Sequence, residues 1–247
     1  DTATELKVPL MAGSSLPVLW RYPPIDVKRG TKLKEIVAVS YHTLDAYGFH
    51  ALEMVQCLTE RRAGGETGVK QVRTLSGNAV WKAMDREIFD NALLSDALKR
   101  LKNSPITRKP NKSLKDLVKS PDLFIIEYRD GLKAYVITLN GAVNEWGVAW
   151  KNDQGQTKST TFWTQEARPY MHFTYLVKGT EKMFHNGQPT WPAKRTLMTS
   201  ALLDALLISK IKDGAIVKTP HLNFKYSTKW NWKQPPSPPP GRPSNEQ

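Results

Sequence analysis

Glu35-Ile-Val-Ala-Val-Ser-Tyr41 runs directly into His42-Thr-Leu-Asp-Ala-Tyr-Gly-Phe-His50-Ala-Leu-Glu53-Met-Val-Gln-Cys-Leu58. The first seven residues form a β-branched run with the composition of a strand. From His50 onward Ala51, Leu52, Met54, Val55 and Leu58 make a helix apolar over most of its circumference, with His50, Glu53 and Cys57 on the remaining face. The reading places the helix start near His50 and a sharp backbone bend at Gly48. Glu53, three residues after His50, puts a carboxylate beside an imidazole on one helical edge. Read from these residues alone, His50 is either the cap of a core helix or the titratable group of a site.

Outward from this unit, residues 1–7 read as the end of a helix, and Val8 to Ser15 as a short buried strand emptying into a Gly-Ser turn. Val69 to Leu75 alternates as a strand, and residues 80–101 carry a helical pattern. Asp130-Gly131 lies between Leu123–Arg129 and Leu132–Leu139 and predicts a tight hairpin, because Gly supplies the positive φ such turns need. Strands at 145–151 and 157–164 are expected to extend it into an antiparallel meander.

Phe173, Leu176, Val177, Thr180, Met183 and Phe184 recur at helical spacing up to Gly187 and Pro189. A second helix runs from Lys194 to Lys212 and stops at Asp213-Gly214, and short strands are predicted at 216–217 and 222–226. The expected fold is α+β: an open, mainly antiparallel sheet with helices on one face, preceded by the last helix and strand of a Rossmann domain. The expected divisions are 1–16 for that remnant, 17–230 for the main domain and 231–247 for a disordered Pro-rich tail.

The 247 residues carry a formal charge of +13, which raises the question of nucleic acid. Lys99, Arg100, Lys102, Arg108, Lys109, Lys112, Lys115 and Lys119 cluster in one segment, but turn residues rather than aromatics separate them, so no base-stacking surface is read there. No nucleic-acid partner is expected. Cys57 is the one cysteine, leaving neither a disulfide framework nor a thiolate metal cage. No run of 18 apolar residues occurs, so no membrane partner is expected and the cytoplasm is the favoured compartment. The glycines of Ala63-Gly-Gly-Glu-Thr-Gly68 lack the Lys and Ser or Thr of a phosphate loop. The start, Asp-Thr-Ala-Thr-Glu-Leu, reads as the interior of something longer, the expectation being a fragment or a processed product.

Two stretches carry a family resemblance. Gly48-Phe-His50-Ala-Leu-Glu53 with Leu58 is similar to a Gly-x-His-x-x-Asp helix start, and Leu176 to Pro189, Ala205 to Ser209 and Asp213 to Val217 are similar to a closing segment. In that order, with Met11-Ala-Gly-Ser-Ser15 as a last Rossmann strand and the predicted meander, the chain resembles the C-terminal part of the glucose–fructose oxidoreductase, inositol dehydrogenase and rhizopine-catabolism (Gfo/Idh/MocA) family.

The resemblance implies a sugar or polyol oxidoreductase using NAD or NADP. The family's glycine-rich turn and Glu-Lys-Pro lysine have no counterpart here: the one Lys-Pro pair, Lys109-Pro110, follows no glutamate. This chain alone is therefore expected to bind no dinucleotide. The family aspartate four residues before the histidine is replaced by Ala46, with Asp45 one residue further off. A one-residue bulge would restore its reach.

Alcohol oxidation needs a base for the hydroxyl proton, the role His50 fits, with Asp45 or Glu53 orienting the imidazole. Trp20, Arg21 and Tyr47 are the candidate substrate contacts, since aromatics stack on sugar faces and arginine forks two oxygens. A non-catalytic carbohydrate-binding or assembly module on the same fold is the alternative. A third reading makes His42, His50 and Glu53 metal ligands, although no second cluster of ligand spacing accompanies them. The family's subunit contact through the open sheet face implies a homo-oligomer, with Trp146, Trp150, Phe162 and Trp163 as candidates for that face.

Overall fold

The computed structural model describes residues 2–166 and 168–236. Its elements in chain order are α1 (Thr2–Glu5), β1 (Trp20–Tyr22), β2 (Leu33–Ser40), α2 (Leu44–Thr59), β3 (Val69–Ser76), α3 (Asn78–Asp85), α4 (Asn91–Leu98), α5 (Pro105–Arg108), α6 (Leu114–Leu117), β4 (Asp122–Tyr128), β5 (Lys133–Thr138), β6 (Trp146–Asn152), β7 (Thr157–Trp163), α7 (Thr174–Asn186), α8 (Lys194–Ile211) and β8 (Val217–Lys218). Among the described residues the strands form one open, mostly antiparallel sheet in the order β1-β7-β6-β2-β5-β4-β3-β8.

The hairpin around Asp130-Gly131 forms, with Gly131 at φ 89 and Leu123 opposite Ile137. The predicted continuation into a meander does not. β2 lies between β5 and β6, parallel to the first and antiparallel to the second. The physical reason is in β2 itself. Ile36 and Ala38 face one core, Val37 and Val39 the other, and all four are fully buried, so this strand needs cover on both faces and takes the centre.

Helices accordingly lie on both faces rather than one. α2 and α8 cover the side of Ile36, Ala38, Phe124 and Val136. The other side, with Val37, Val39, Tyr135 and Ile137, is covered by Val80, Phe89, Leu93 and Ala97 from the α3–α4 region. Trp146, Trp150, Phe162 and Trp163 lie in the α2–α8 core at 2, 3, 1 and 7 % exposure. They do not form an exposed subunit-contact face: the large rings pack inward, where their apolar area is removed from water.

Other boundaries differ from the sequence reading for local reasons. Val8 to Ser15 forms no strand. The 80–101 pattern breaks between α3 and α4, where Asp90 caps α4 by accepting from Ala92 N and Leu93 N. Leu222 falls in a short 3-10 turn, and Tyr226 contributes one bridge, to Glu66.

Residues 231–236, the described part of the predicted disordered tail, pack against the region around β1. Trp232 stacks on the Arg21 guanidinium at 4.3 Å and donates Nε1–H to Leu19 O, Gln234 Oε1 accepts from Arg21 N, and Pro236 O accepts from Trp20 Nε1. Aromatic and amide groups thus outweigh the prolines over 231–236. The rest of the predicted disordered tail, 237–247, lies outside the described residues.

α7 ends at Gly187 in the left-handed region. It meets the body of the protein at Gly179, where an added Cβ would sit 2.5 Å from two ring carbons of the buried Trp191. Gly179→Ala is expected to cost about 1–3 kcal/mol through this overlap, exceeding the helix-propensity gain of up to about 1 kcal/mol. A urea midpoint equal to or above wild type would show that Trp191 moves aside.

Candidate functional site

The turn from β2 into α2 is made by His42, at φ 67, rather than by Gly48. Asn140 bridges its backbone, accepting from His42 N and donating to His42 O at 2.9 Å. α2 therefore begins at Leu44, and His50 lies in its second turn. Gly48 serves a different purpose. It is buried inside the helix, where a Cβ would fall 3.1 Å from Leu203 Cδ1 and 3.4 Å from Phe124, so glycine permits the close approach of α2 to α8 and β4.

His50 is half-buried, and its Nδ1 lies 2.7 Å from Ser14 Oγ. Ser14 sits on an irregular segment that Trp191 pins by donating Nε1–H to Ala12 O at 2.9 Å. Ser14 N donates to Glu53 Oε2 at 3.4 Å, and Thr196 and Thr199 hydroxyls donate to Glu53 Oε1 at 3.1 and 2.8 Å. Glu53 is fully buried. Gly13, at φ 138, allows this: a Cβ there would lie 3.0 Å from Glu53 Oε2. Imidazole and carboxylate are thus joined through Ser14 rather than by direct contact.

Burial drives the Glu53 carboxyl above its ordinary range, against the opposing pull of Arg195, the two threonine hydroxyls and Ser14 N–H. Burial also lowers the His50 pKa, with the charge of Glu166 acting the other way. Cys57 is buried and its thiol is pushed up to about 12, chiefly by burial, so it offers no thiolate nucleophile.

An aromatic wall flanks His50. Tyr47 meets it edge-on at 5.9 Å and stacks against both His42, at 4.5 Å, and Trp146, at 5.5 Å. Tyr41 packs on Tyr47 and Trp146 and donates its hydroxyl to Glu166 at 3.3 Å. Burial, with Glu166 second, raises the pKa of both tyrosines, which stay neutral donors. Two parallel ring neighbours leave Tyr47 its edge and hydroxyl, more than its faces, for a ligand.

The remaining sequence candidates lie elsewhere. Asp45 is exposed in the first turn of α2, and its pKa is lowered by a hydrogen bond with Thr43 and by Ala46 N–H. Five residues from His50, it is rotated about 140° around the helix, and its charge faces the helix N-terminus rather than the imidazole. Trp20 and Arg21 are both 0 % exposed. Trp20 packs against Trp163 and Tyr175, and Arg21 is held between Phe162 and Trp232 and paired with Asp26 at 2.8 Å. Neither presents surface to a sugar, because β1 lies under the 231–236 segment.

Among the described residues no group of three His, Cys, Asp or Glu could hold a metal ion, and no helix is long and apolar enough to cross a membrane. Ser14, Thr196, Thr199 and Glu166 escaped the sequence reading. The i, i+3 spacing of Thr196 and Thr199 and the Gly13-Ser14 pair are visible, but nothing local ties them to His50.

The raised Glu53 pKa has a consequence for stability. The folded protein binds this proton more tightly than the unfolded chain, so the contribution is full below the ordinary glutamate value of 4.5 and is lost as pH rises through the folded value. Glu53→Gln keeps an oxygen for Ser14 N–H and gives the threonine hydroxyls an amide donor. Urea midpoints from pH 4 to 8 are expected to fall less steeply in the variant; parallel curves would contradict this.

No protein-family model and no curated protein matches the sequence. Solved structures are similar over part of their length. A probable dehydrogenase from Thermotoga maritima is 13 % identical, with 77 % of this chain and 57 % of that one covered at a TM-score of 0.44. Scyllo-inositol dehydrogenase from Lactobacillus casei, solved with NAD(H) and scyllo-inositol, is 11 % identical over 76 % of this chain and 56 % of its own, at 0.46. A myo-inositol dehydrogenase from Corynebacterium glutamicum is 10 % identical over 76 % and 56 %, at 0.44. The chain spans a little over half the length of each. The inositol dehydrogenases are of the Gfo/Idh/MocA family that the sequence motifs resemble.

Proposed function

We propose that this chain is the substrate-facing part of an NAD(P)-dependent oxidoreductase acting on a sugar or polyol, with His50 taking the proton of the substrate hydroxyl. The observation that carries the reading is the half-buried imidazole, tethered at Nδ1 by Ser14, beside the Tyr41–Tyr47 wall and Glu166. An imidazole of lowered pKa is uncharged near pH 7, the charge state a general base requires, and its tautomer decides which nitrogen is free to accept. The Tyr47 hydroxyl and the Glu166 carboxylate, held by Tyr41 O–H, supply the donor and acceptor that polyol recognition uses.

In this reading the dinucleotide is held outside the β2–α2 junction. α2, the helix that follows the centrally placed β2, opens on Thr43-Leu44 with no glycine-rich turn to admit a pyrophosphate. In this reading His50 acts on the substrate proton alone. A homo-oligomer is part of the same reading; a monomer mass by light scattering at high concentration would count against it.

The test uses the protein with all the residues its gene encodes, assayed for NAD(P)H formation against inositols, hexoses and pentitols. Turnover on at least one of them is expected. If none is turned over while one of them shifts the NMR resonances of His50 and Tyr47 in this chain, the non-catalytic binding module is favoured. With neither turnover nor binding, both fail.

A further inference from the structure

We propose that Ser14 is a positioning residue for His50: its hydroxyl donates to Nδ1 and thereby places the proton of the neutral imidazole on Nε2. The assignment follows from the partners of each Ser14 atom. Ser14 N–H is committed to Glu53 Oε2, and Ser14 Oγ accepts Leu16 N–H at 3.2 Å. The hydroxyl hydrogen has one acceptor within reach among the described residues, His50 Nδ1 at 2.7 Å. Ser14 is 4 % exposed, so water is a poor substitute. A nitrogen that accepts carries no hydrogen, and the neutral ring holds its single proton on the other one.

The carboxylate of Glu53 enters through the backbone. It fixes Ser14 N, and with it the direction of the Ser14 side chain, from a site where Thr196 and Thr199 hold it in turn. Glu53 thus orients His50 without touching it, and a segment 36 residues away in sequence decides what the helix residue presents.

The meaning for turnover rests on the reading of His50 as the proton-handling group. With Nε2 protonated, the resting imidazole donates to a substrate oxygen. It accepts a proton at Nε2 only after one proton has left Nε2 and one has been placed on Nδ1, with no change of charge. Ser14 Oγ has a second lone pair to receive Nδ1–H, but its own hydrogen then faces a buried surrounding with no acceptor. The serine therefore holds the base-competent tautomer to a minor share, and substrate binding has to overcome that bias.

Two-bond 1H–15N correlation of the 15N-histidine-labelled protein reads the tautomer without substrate, above the His50 titration, with His50→Asn identifying the resonances. The Nε2–H form is expected to exceed the other by about tenfold, the size set by one unsatisfied buried hydroxyl. Ser14→Ala is expected to shift the ratio toward Nδ1–H, and Ser14→Thr to restore it. A dominant Nδ1–H form in the wild-type protein would overturn the proposal even if Ser14→Ala does not fold, as would a folded Ser14→Ala with an unchanged ratio. Because the tautomer is read without turnover, failure of the oxidoreductase reading and failure of the Ser14 role are separate results.

Discussion

Replacing Arg195 by methionine is expected to lower stability by about 3–5 kcal/mol, through the buried charge it leaves behind. Arg195 and Glu60 are each 1 % exposed at the side chain and joined by two hydrogen bonds, at 3.0 and 2.5 Å. Tyr226 donates to the same carboxylate at 2.9 Å, and Arg195 also lies over the Trp230 ring. Methionine fills most of the volume but leaves Glu60 in a dry site with Tyr226 as its remaining strong donor. The double variant Arg195→Met, Glu60→Met removes both charges and is expected to recover much of the loss, since apolar replacement of a whole buried pair is often neutral or better. Urea denaturation of both variants decides the matter: a single variant within 1 kcal/mol of wild type means water or another cation reaches Glu60.

His50→Asn is expected to reduce turnover about 10²–10⁴-fold in the complete protein, the range spanned by a positioned general base. Asparagine keeps a polar partner near Ser14 and about the same length, so the fold and the urea midpoint should change little. The substrate KM is expected to move far less than kcat, because the aromatic wall and Glu166 remain. A kcat within threefold of wild type would remove His50 from the chemistry and leave it as a packed histidine of α2.

Arg195 and His50 show the two limits of what the sequence discloses. Glu60 and Arg195 are 135 residues apart, and neither position is marked by its neighbours. Arg195 stands beside Lys194 at the start of α8, and the packing of α8 on α2 buries it. His50 is legible because it interrupts an apolar helix three residues before a glutamate. Its actual partner is not, since Ser14 reaches it from an irregular segment. Trp20 and Arg21 fail the other way: the types that bind sugars are also those that fill cores, and their burial depends on Trp232, Gln234 and Pro236 returning over β1.

Local chemistry determined the elements. The β-branched run of β2, the Asp130-Gly131 turn and the glycine stop of α7 each act within a few residues, so each could be read from the chain. The tertiary structure decided three things that depend on residues distant in sequence. It placed β2 between β5 and β6, because a strand apolar on both sides must be covered on both. It put helices on both faces and turned the tryptophans inward. And it joined His50 to Glu53 through Ser14, since the hydrogen bonds of a buried carboxylate are completed by whichever backbone and hydroxyl groups packing brings to it, not by the residue three places away.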